Sequence, residues 1–312
     1  MKEKIVIGSR GSELAIWQAN WVKDALLRNF PDLSLSVEII KTKGDKVLDT
    51  PLSRIGDKGL FTKEIEHALQ DRRIDLAVHS LKDLPTVLPD GLVISAVTVR
   101  AERRDAFISK QYATLVDLPH GATIATGSLR RKSQLLNYRD DLNIVDIRGN
   151  ILTRLKKFDD SLYDALVLAY AGLERLSLEH RVKHIIPTGI ILPAVGQGVM
   201  AVETREDDTE LNSMMKVLHN MNAFIEITAE RSFLRQLEGG CQVPIGIYSE
   251  VKNNAILILE GMIGRIDGKR VVREQIMGEA ADPAELGKRL AEVLLEKGGK
   301  EILDEIRSGA EA

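Results

Sequence analysis

The chain repeats one order of strands and helices, and this repeat limits its possible folds more than any other feature. Gly8-Ser9 follows a short strand and precedes a helix, and Gly127-Ser128 does the same. The run 75–78 likewise resembles the run 164–167. Each half has the order β-α-β-α-β, which predicts a mostly parallel sheet with right-handed crossovers. Ligands bind at the carboxyl ends of such strands, so we expect the two halves to face each other across a cleft.

A third region follows the second half, as expected for 312 residues, which are too many for one ordinary core. A strand at 199–203 is expected to return the chain to the first half, so that two connections form a hinge. Beyond it, helical and strand-like runs predict a small α+β domain. The expected fold class is α/β, with two similar βαβαβ-type, periplasmic-binding-protein-like domains flanking a cleft, plus that C-terminal domain. The predicted domains are 1–98 plus 199–219, 99–198, and 220–312.

The composition excludes several classes of protein. Hydrophobic residues make up 44% and charged residues 29%, as in globular proteins. A net charge of −3 argues against a nucleic-acid binder. Because the sequence has no signal-peptide pattern and no apolar run of about 18 residues, we expect a cytoplasmic protein without membrane contact. The single cysteine, Cys241, fits a reducing compartment, and no Cys/His spacing predicts a metal site.

Titratable residues cluster where the predicted strand at 74–78 ends. His79, Lys82 and Asp83 follow it, and Leu84-Pro85 prevents a long helix from starting there. A carboxylate such as that of Asp83 can act as general acid and base in turn. The segment is therefore a candidate site, and the alternative is an exposed turn with a weak Lys82–Asp83 ion pair.

Two other segments suit an anionic ligand. The turn from Gly8 to Ser12 leads into a helix, with Ser12 as the expected N-cap, and such a helix start binds anions. A plain βα connection is the alternative. Residues 42–59 are basic and lack periodicity, which is typical of a functional lid or of a disordered loop. A solvated run of charges is the other alternative.

Arginines recur at or just after the predicted strand ends of both halves. A guanidinium matches a carboxylate with two parallel hydrogen bonds, so this pattern indicates a ligand with several carboxylates. Phosphate is the competing ligand, but the sequence has no P-loop. These arginines are Arg10, Arg130, Arg131, Arg148, Arg154 and Arg175.

Cys241 lies between two glycines and Pro244, which predicts a tight, exposed loop. It is either an inert small side chain or a reactive thiol. A cysteine hydrolase would need a distant histidine such as His79 beside it.

Six motifs, spread over all three regions, resemble those of the hydroxymethylbilane synthase (porphobilinogen deaminase) family. Together they are highly specific, although none is so alone. They are GSRGSELA (8–15, with Trp17-Gln18 after it), KGLF (58–61), HSLKDLP (79–85), GSLRR (127–131), RGN (148–150) and GGC (239–241).

The resemblance implies a dipyrromethane cofactor attached to Cys241 by a thioether. It implies that four porphobilinogen molecules are joined head to tail with loss of ammonia, and that hydrolysis releases the linear tetrapyrrole. Asp83 would protonate the departing amino group, stabilise the azafulvene-type cation and help remove the proton from the attacking ring carbon.

The resemblance also implies roles for further residues and partners. Phe61, His79 and Gln197 would support the site, and Arg54 replaces a lysine that many relatives carry. A monomer is expected, with a possible transient hand-over to a downstream tetrapyrrole enzyme. A non-catalytic solute-binding or sensory protein is the alternative, but it gives Cys241 no role. The residues implied to bind carboxylates are Arg10, Ser12, Lys58, Lys82, Ser128, Arg130, Arg131, Arg148, Arg154 and Arg175.

Overall fold

The computed structural model describes residues 3–46, 59–238 and 243–309. Within them the chain divides into two compact units. The first contains 3–46, 59–101 and 198–224, and the second contains 102–197, 225–238 and 243–309. The division into three domains stays a prediction, as do the cleft and the hinge.

The strands alternate with helices through most of the chain. The strands are β1 (Lys4–Ser9), β2 (Ser34–Ile39), β3 (Leu76–Ser80), β4 (Leu92–Val97), β5 (Asp105–Ser109), β6 (Thr123–Ala125), β7 (Asn143–Val145), β8 (Ala165–Ala169), β9 (His184–Ile185), β10 (Met200–Arg205), β11 (Ile245–Lys252), β12 (Ile256–Gly264) and β13 (Val271–Glu279). The helices are α1 (Glu13–Asn29), α2 (Lys43–Lys46), α3 (Lys63–Gln70), α4 (Leu129–Tyr138), α5 (Ile151–Asp159), α6 (Tyr170–Arg175), α7 (Thr209–Met214), α8 (Met221–Gln236), α9 (Pro283–Leu294) and α10 (Lys300–Arg307).

The first unit is built on a sheet with the strand order β2-β1-β3-β10-β4. Strands β1, β2 and β3 are parallel, whereas β10 runs antiparallel to both β3 and β4. Alternate side chains of β1 pack on opposite faces: Ile5 and Ile7 join α1 residues, and Val6 joins Ile65 of α3. Helices therefore cover both faces of this sheet. Because β10 pairs with β3 and β4, the expected return of the chain to the first half is confirmed.

The second unit contains a sheet with the same plan, in the order β7-β6-β8-β5-β9. Here β6, β7 and β8 are parallel, and β5 runs antiparallel to β8 and β9. Strands β5 and β9 extend the predicted β-α-β-α-β pattern, which did not include them. The antiparallel strands β5 and β10 occupy equivalent places in the two sheets.

The C-terminal part of the second unit is a small α+β arrangement. Strands β11, β12 and β13 form an antiparallel sheet. Phe233 of α8 and Leu290 of α9 pack against its buried residues. With two α/β sheets and this α+β part, the predicted fold class is confirmed. Among the described residues, no helix is long and apolar enough to cross a membrane.

Close packing explains the glycines of the repeated Gly-Ser motif. A Cβ atom on Gly8 would lie 2.2 Å from Cδ1 of Ile74, and one on Gly127 would lie 2.9 Å from the carbonyl oxygen of Ile147. At Gly8 the missing Cβ leaves room for the Ile74 side chain, and at Gly127 it lets the chain pass close to the backbone of Ile147.

Candidate active site

The turn after β1 presents Arg10 and begins helix α1. The Ser12 hydroxyl accepts a hydrogen bond from the Ala15 amide at 3.4 Å, so Ser12 is the N-cap, as predicted. The Arg10 guanidinium carbon lies 4.2 Å from the centre of the Phe61 ring, which is cation–π geometry. The ring therefore helps to fix the charged end of Arg10.

The turn after β3 presents Lys82 and Asp83. Strand β3 continues through Ser80, slightly further than predicted, and a 3₁₀ turn over Leu81–Asp83 follows. Leu81 and Leu84 are buried, whereas Lys82 and Asp83 are exposed. The leucines thus anchor the turn, and the two charged side chains stay accessible.

One pocket in the first unit combines residues from both turns. It is lined by Arg10, Ser12, Phe61, His79 and Asp83, all of which the sequence predicted as site residues, and also by Ser80. Gln18 of α1 donates a hydrogen bond of 2.8 Å to the Ser80 hydroxyl, which ties the helix to the end of β3. The pocket therefore presents a carboxylate, a cation and hydroxyl groups to a ligand.

His79, which also lines this pocket, makes a buried contact with Glu203. Its Nε2 lies 2.9 Å from Oε2 of Glu203, and both side chains are almost fully buried. Burial raises the pKa of nearby Glu66, and the negative charge of Glu203 raises it further. Neither glutamate was singled out from the sequence. Each glutamate lies in a strand or helix whose sequence pattern predicts burial, and such a position only weakly predicts a buried acid.

Further predicted residues follow the parallel strands of the second sheet. Ser128 caps α4 by accepting a hydrogen bond from the Arg131 amide at 3.4 Å. Arg148 is half-buried in the turn that follows β7, and Nε of Arg154 donates to the Gly149 carbonyl at 2.7 Å. Because β6 and β7 are parallel, these turns lie at the same edge of the sheet.

Arg175 ends α6, which follows β8 in the same sheet. Burial lowers its pKa to about 10, against the opposing effect of Glu174. The guanidinium therefore stays charged at neutral pH, and a ligand carboxylate beside it would offset the cost of its burial.

Arg130 and Arg131 are buried against Asp105 of β5. Nη1 of Arg130 lies 2.9 Å from Oδ2 of Asp105, and Nη2 of Arg131 lies 2.8 Å from Oδ1. Burial alone would raise the pKa of Asp105, but the two guanidiniums outweigh it and hold the pKa well below its usual range. The sequence prediction missed Asp105, because the short apolar run after it was not recognised as a strand.

Gln197 contacts the same carboxylate. Its Nε2 donates to Oδ1 of Asp105 at 2.9 Å and to the Arg103 carbonyl at 2.6 Å. Three of the predicted positions, Cys241, Lys58 and Arg54, lie outside the described residues, as does most of the basic loop. Within the described ranges, no group of three or more His, Cys, Asp or Glu side chains is arranged to hold a metal ion.

Comparison with protein-family models identifies the chain. Residues 5–213 match the model described as porphobilinogen deaminase, dipyromethane cofactor binding domain. The chain belongs to the porphobilinogen deaminase family. It is therefore a transferase with the family's cofactor-binding domain, and residues 224–296 match the family's C-terminal domain.

Relatives match over nearly the full chain. A porphobilinogen deaminase of Chlorobium phaeovibrioides is 50% identical over 311 residues, covering 98% of this chain and 99% of its own. One of Desulforamulus reducens is 50% identical over 309 residues, covering 99% of this chain and 100% of its own.

Solved structures similar to the chain include binding proteins. The methionine binding protein MetQ matches with 16% identity and a TM-score of 0.45, over 69% of this chain and 89% of its own. A TRAP periplasmic solute binding protein of Desulfovibrio salexigens matches with 11% identity and a TM-score of 0.43, over 72% of this chain and 73% of its own.

The described residues fit a polycarboxylate cofactor such as a dipyrromethane. Two buried guanidiniums, those of Arg130 and Arg131, share the one carboxylate of Asp105. Arg175 is half-buried, and burial already lowers its pKa. An anionic group is the chemical complement of such a set of cations.

Proposed function

We propose that the chain is a hydroxymethylbilane synthase that joins four porphobilinogen molecules head to tail. Each addition releases ammonia, and hydrolysis finally releases the linear tetrapyrrole. The observation that carries this proposal is one pocket lined by both the exposed Asp83 carboxylate and the Arg10 guanidinium, in a chain of this family.

Asp83 is the proposed catalytic residue. The amino group of porphobilinogen leaves as ammonia only once its nitrogen is protonated, and a carboxylic acid can donate that proton. The resulting carboxylate stabilises the cation that remains on the substrate and then accepts the proton from the ring carbon where the new bond forms. The exposure of Asp83 gives it access to each new substrate.

The cationic residues are proposed to bind the carboxylates of cofactor and substrate. Porphobilinogen carries two carboxylates, so the growing chain gains two with each addition. When bound, the dipyrromethane supplies the pyrrole ring to which the first substrate is joined. Cys241 would attach it, and the binding residues are Arg10, Ser12, Lys58, Lys82, Ser128, Arg130, Arg131, Arg148, Arg154 and Arg175.

The remaining parts of the proposal concern the residues that hold others in place, and the location, oligomeric state and product transfer of the protein. Phe61 holds Arg10, His79 holds the end of β3 through Glu203, and Gln197 holds Asp105. A cytoplasmic location, a monomeric state and hand-over of the product to a downstream tetrapyrrole enzyme belong to the same proposal. Light scattering of the purified protein tests the monomeric state.

Intact mass spectrometry tests the covalent cofactor. The purified wild-type protein is expected to be heavier than its sequence by a two-pyrrole adduct. Cys241→Ala should lose the adduct and the activity together, because the thioether has no other thiol to form on. A wild-type chain that is unmodified yet fully active would contradict the proposal.

Replacement of the Asp83 carboxylate tests the chemical step. Asp83→Asn should keep the fold and the adduct but lower kcat by about 100-fold or more, the usual effect of losing an acid–base group. Asp90→Asn is the matched control, because Asp90 is also an exposed aspartate of the first unit. Similar turnover in the two variants would exclude Asp83 as the catalytic residue.

A further inference from the structure

Arg130 and Arg131 are neighbours on helix α4, yet their charged ends meet at one carboxylate. Successive helical residues point about 100° apart, so adjacent side chains normally diverge. Here each oxygen of Asp105 faces one guanidinium, at 2.9 Å and 2.8 Å. Asp105 is the group that brings the two arginine side chains together.

Each guanidinium has a further fixed contact. Arg130 donates from Nη1 to the Leu192 carbonyl at 2.5 Å, and Arg131 donates from Nη1 to the Val167 carbonyl at 3.1 Å. Asp105 itself is fully buried on β5, between β8 and β9. Gln197 restrains its Oδ1. The orientation of both arginines is therefore set by backbone and by a rigidly held carboxylate.

The cluster still has capacity for an anion. Two cations face one carboxylate, and a buried unbalanced charge is costly. Nε of Arg131 is buried, and within the described part of the chain it has no hydrogen-bond partner. The arginine pair is thus held in place but not saturated by Asp105.

We propose that Asp105 is a positioning residue that holds Arg130 and Arg131 in the orientation in which they bind carboxylates of the cofactor and the growing chain. Gln197 holds Asp105 in turn. This inference rests on the proposed function, and it assigns Asp105 a role in binding without contact to the substrate.

Asp105→Asn tests this role against a matched control. Asparagine keeps the shape but removes the charge, so the arginines lose their shared partner. Asp164→Asn is the control, because Oδ2 of Asp164 accepts a hydrogen bond of 2.8 Å from the Thr123 amide in the same sheet and contacts neither arginine. The measurements are the fraction of chains with the adduct by intact mass, KM and kcat for porphobilinogen, and the melting temperature.

Asp105→Asn should lower the adduct-bearing fraction and raise KM about tenfold or more, with a smaller change in kcat, because binding rather than chemistry is lost. Asp164→Asn should lower only the melting temperature. Equal adduct fractions and KM values in the two variants would overturn the positioning role. A wild-type protein without adduct or turnover would instead overturn the proposed function.

Gln197→Met keeps the test decisive if Asp105→Asn does not fold. It removes the amide on Oδ1 while leaving all three charges in place. A roughly two- to twelvefold rise in KM is expected with an intact fold, which corresponds to the loss of one hydrogen bond worth about 0.5–1.5 kcal/mol. An unchanged KM in this folded variant would then refute the positioning role.

Discussion

Arg10 is held over the ring of Phe61, and this contact can be tested alone. Phe61→Leu keeps an apolar side chain but removes the aromatic face. Such contacts contribute about 0.5–1 kcal/mol at exposed sites, so KM should rise roughly two- to fivefold while kcat changes little. Steady-state kinetics of the adduct-bearing protein measure this, and an unchanged KM would show that the ring does not orient Arg10.

Single residues differ in how far the sequence reveals them. Asp83, Arg10 and Ser12 lie in turns that follow strands, where local pattern predicts exposure to a ligand, and the structure places them in one pocket. Asp105 meets partners 26 and 92 positions away in sequence. No local sequence pattern predicts these contacts, because they depend on how the strands pair.

Helix α4 gives a prediction at the scale of an element. Ser128→Ala removes the N-cap and should cost about 1 kcal/mol of unfolding free energy, whereas Ser128→Gly should cost only a few tenths. Both variants lack the hydroxyl. If that hydroxyl binds a carboxylate, KM should rise equally in both.

Denaturant unfolding and kinetics of the two Ser128 variants separate capping from binding. Equal losses of stability would contradict the capping role. A KM like that of the wild type in both variants would remove Ser128 from the binding set.

Elements with local signals were predicted closely, whereas β5 and β9, which depend on pairing with distant strands, were not. Helix α4 spans Leu129–Tyr138 as expected, because its N-cap and periodicity lie within its own sequence. Strand β5 was missed although it is buried throughout. It is short, follows a charged stretch, and is stabilised by β8 and β9 rather than by any turn beside it.

The stability of the whole molecule should depend on pH through Glu66. The pKa of Glu66 is raised by burial and by Glu203, so the folded protein favours the protonated form. The stability that Glu66 contributes is therefore fully present below its pKa in the unfolded chain, about 4.3. This stability is lost as pH rises through the pKa of Glu66 in the folded protein. Glu66→Gln imitates the protonated form at every pH.

Melting temperatures across pH test this dependence. The gain of Glu66→Gln over wild type should be small near pH 4 and larger near pH 8. Glu206→Gln is the control, because Glu206 is an exposed residue of the same unit. A gain that does not change with pH would contradict a raised pKa.

The place of β10 in the first sheet sets an order of events during synthesis. It lies between β3 and β4, yet β4 ends at Val97 and β10 begins only at Met200. A ribosome adding about 5–20 residues per second needs on the order of ten seconds to cover that interval. Until then, the edge of β3 that will pair with β10 is open, and β4 has no neighbouring strand in the sheet. The first unit therefore completes its sheet only after most of the second has emerged. A chaperone that shields open strand edges would be needed longest during this interval.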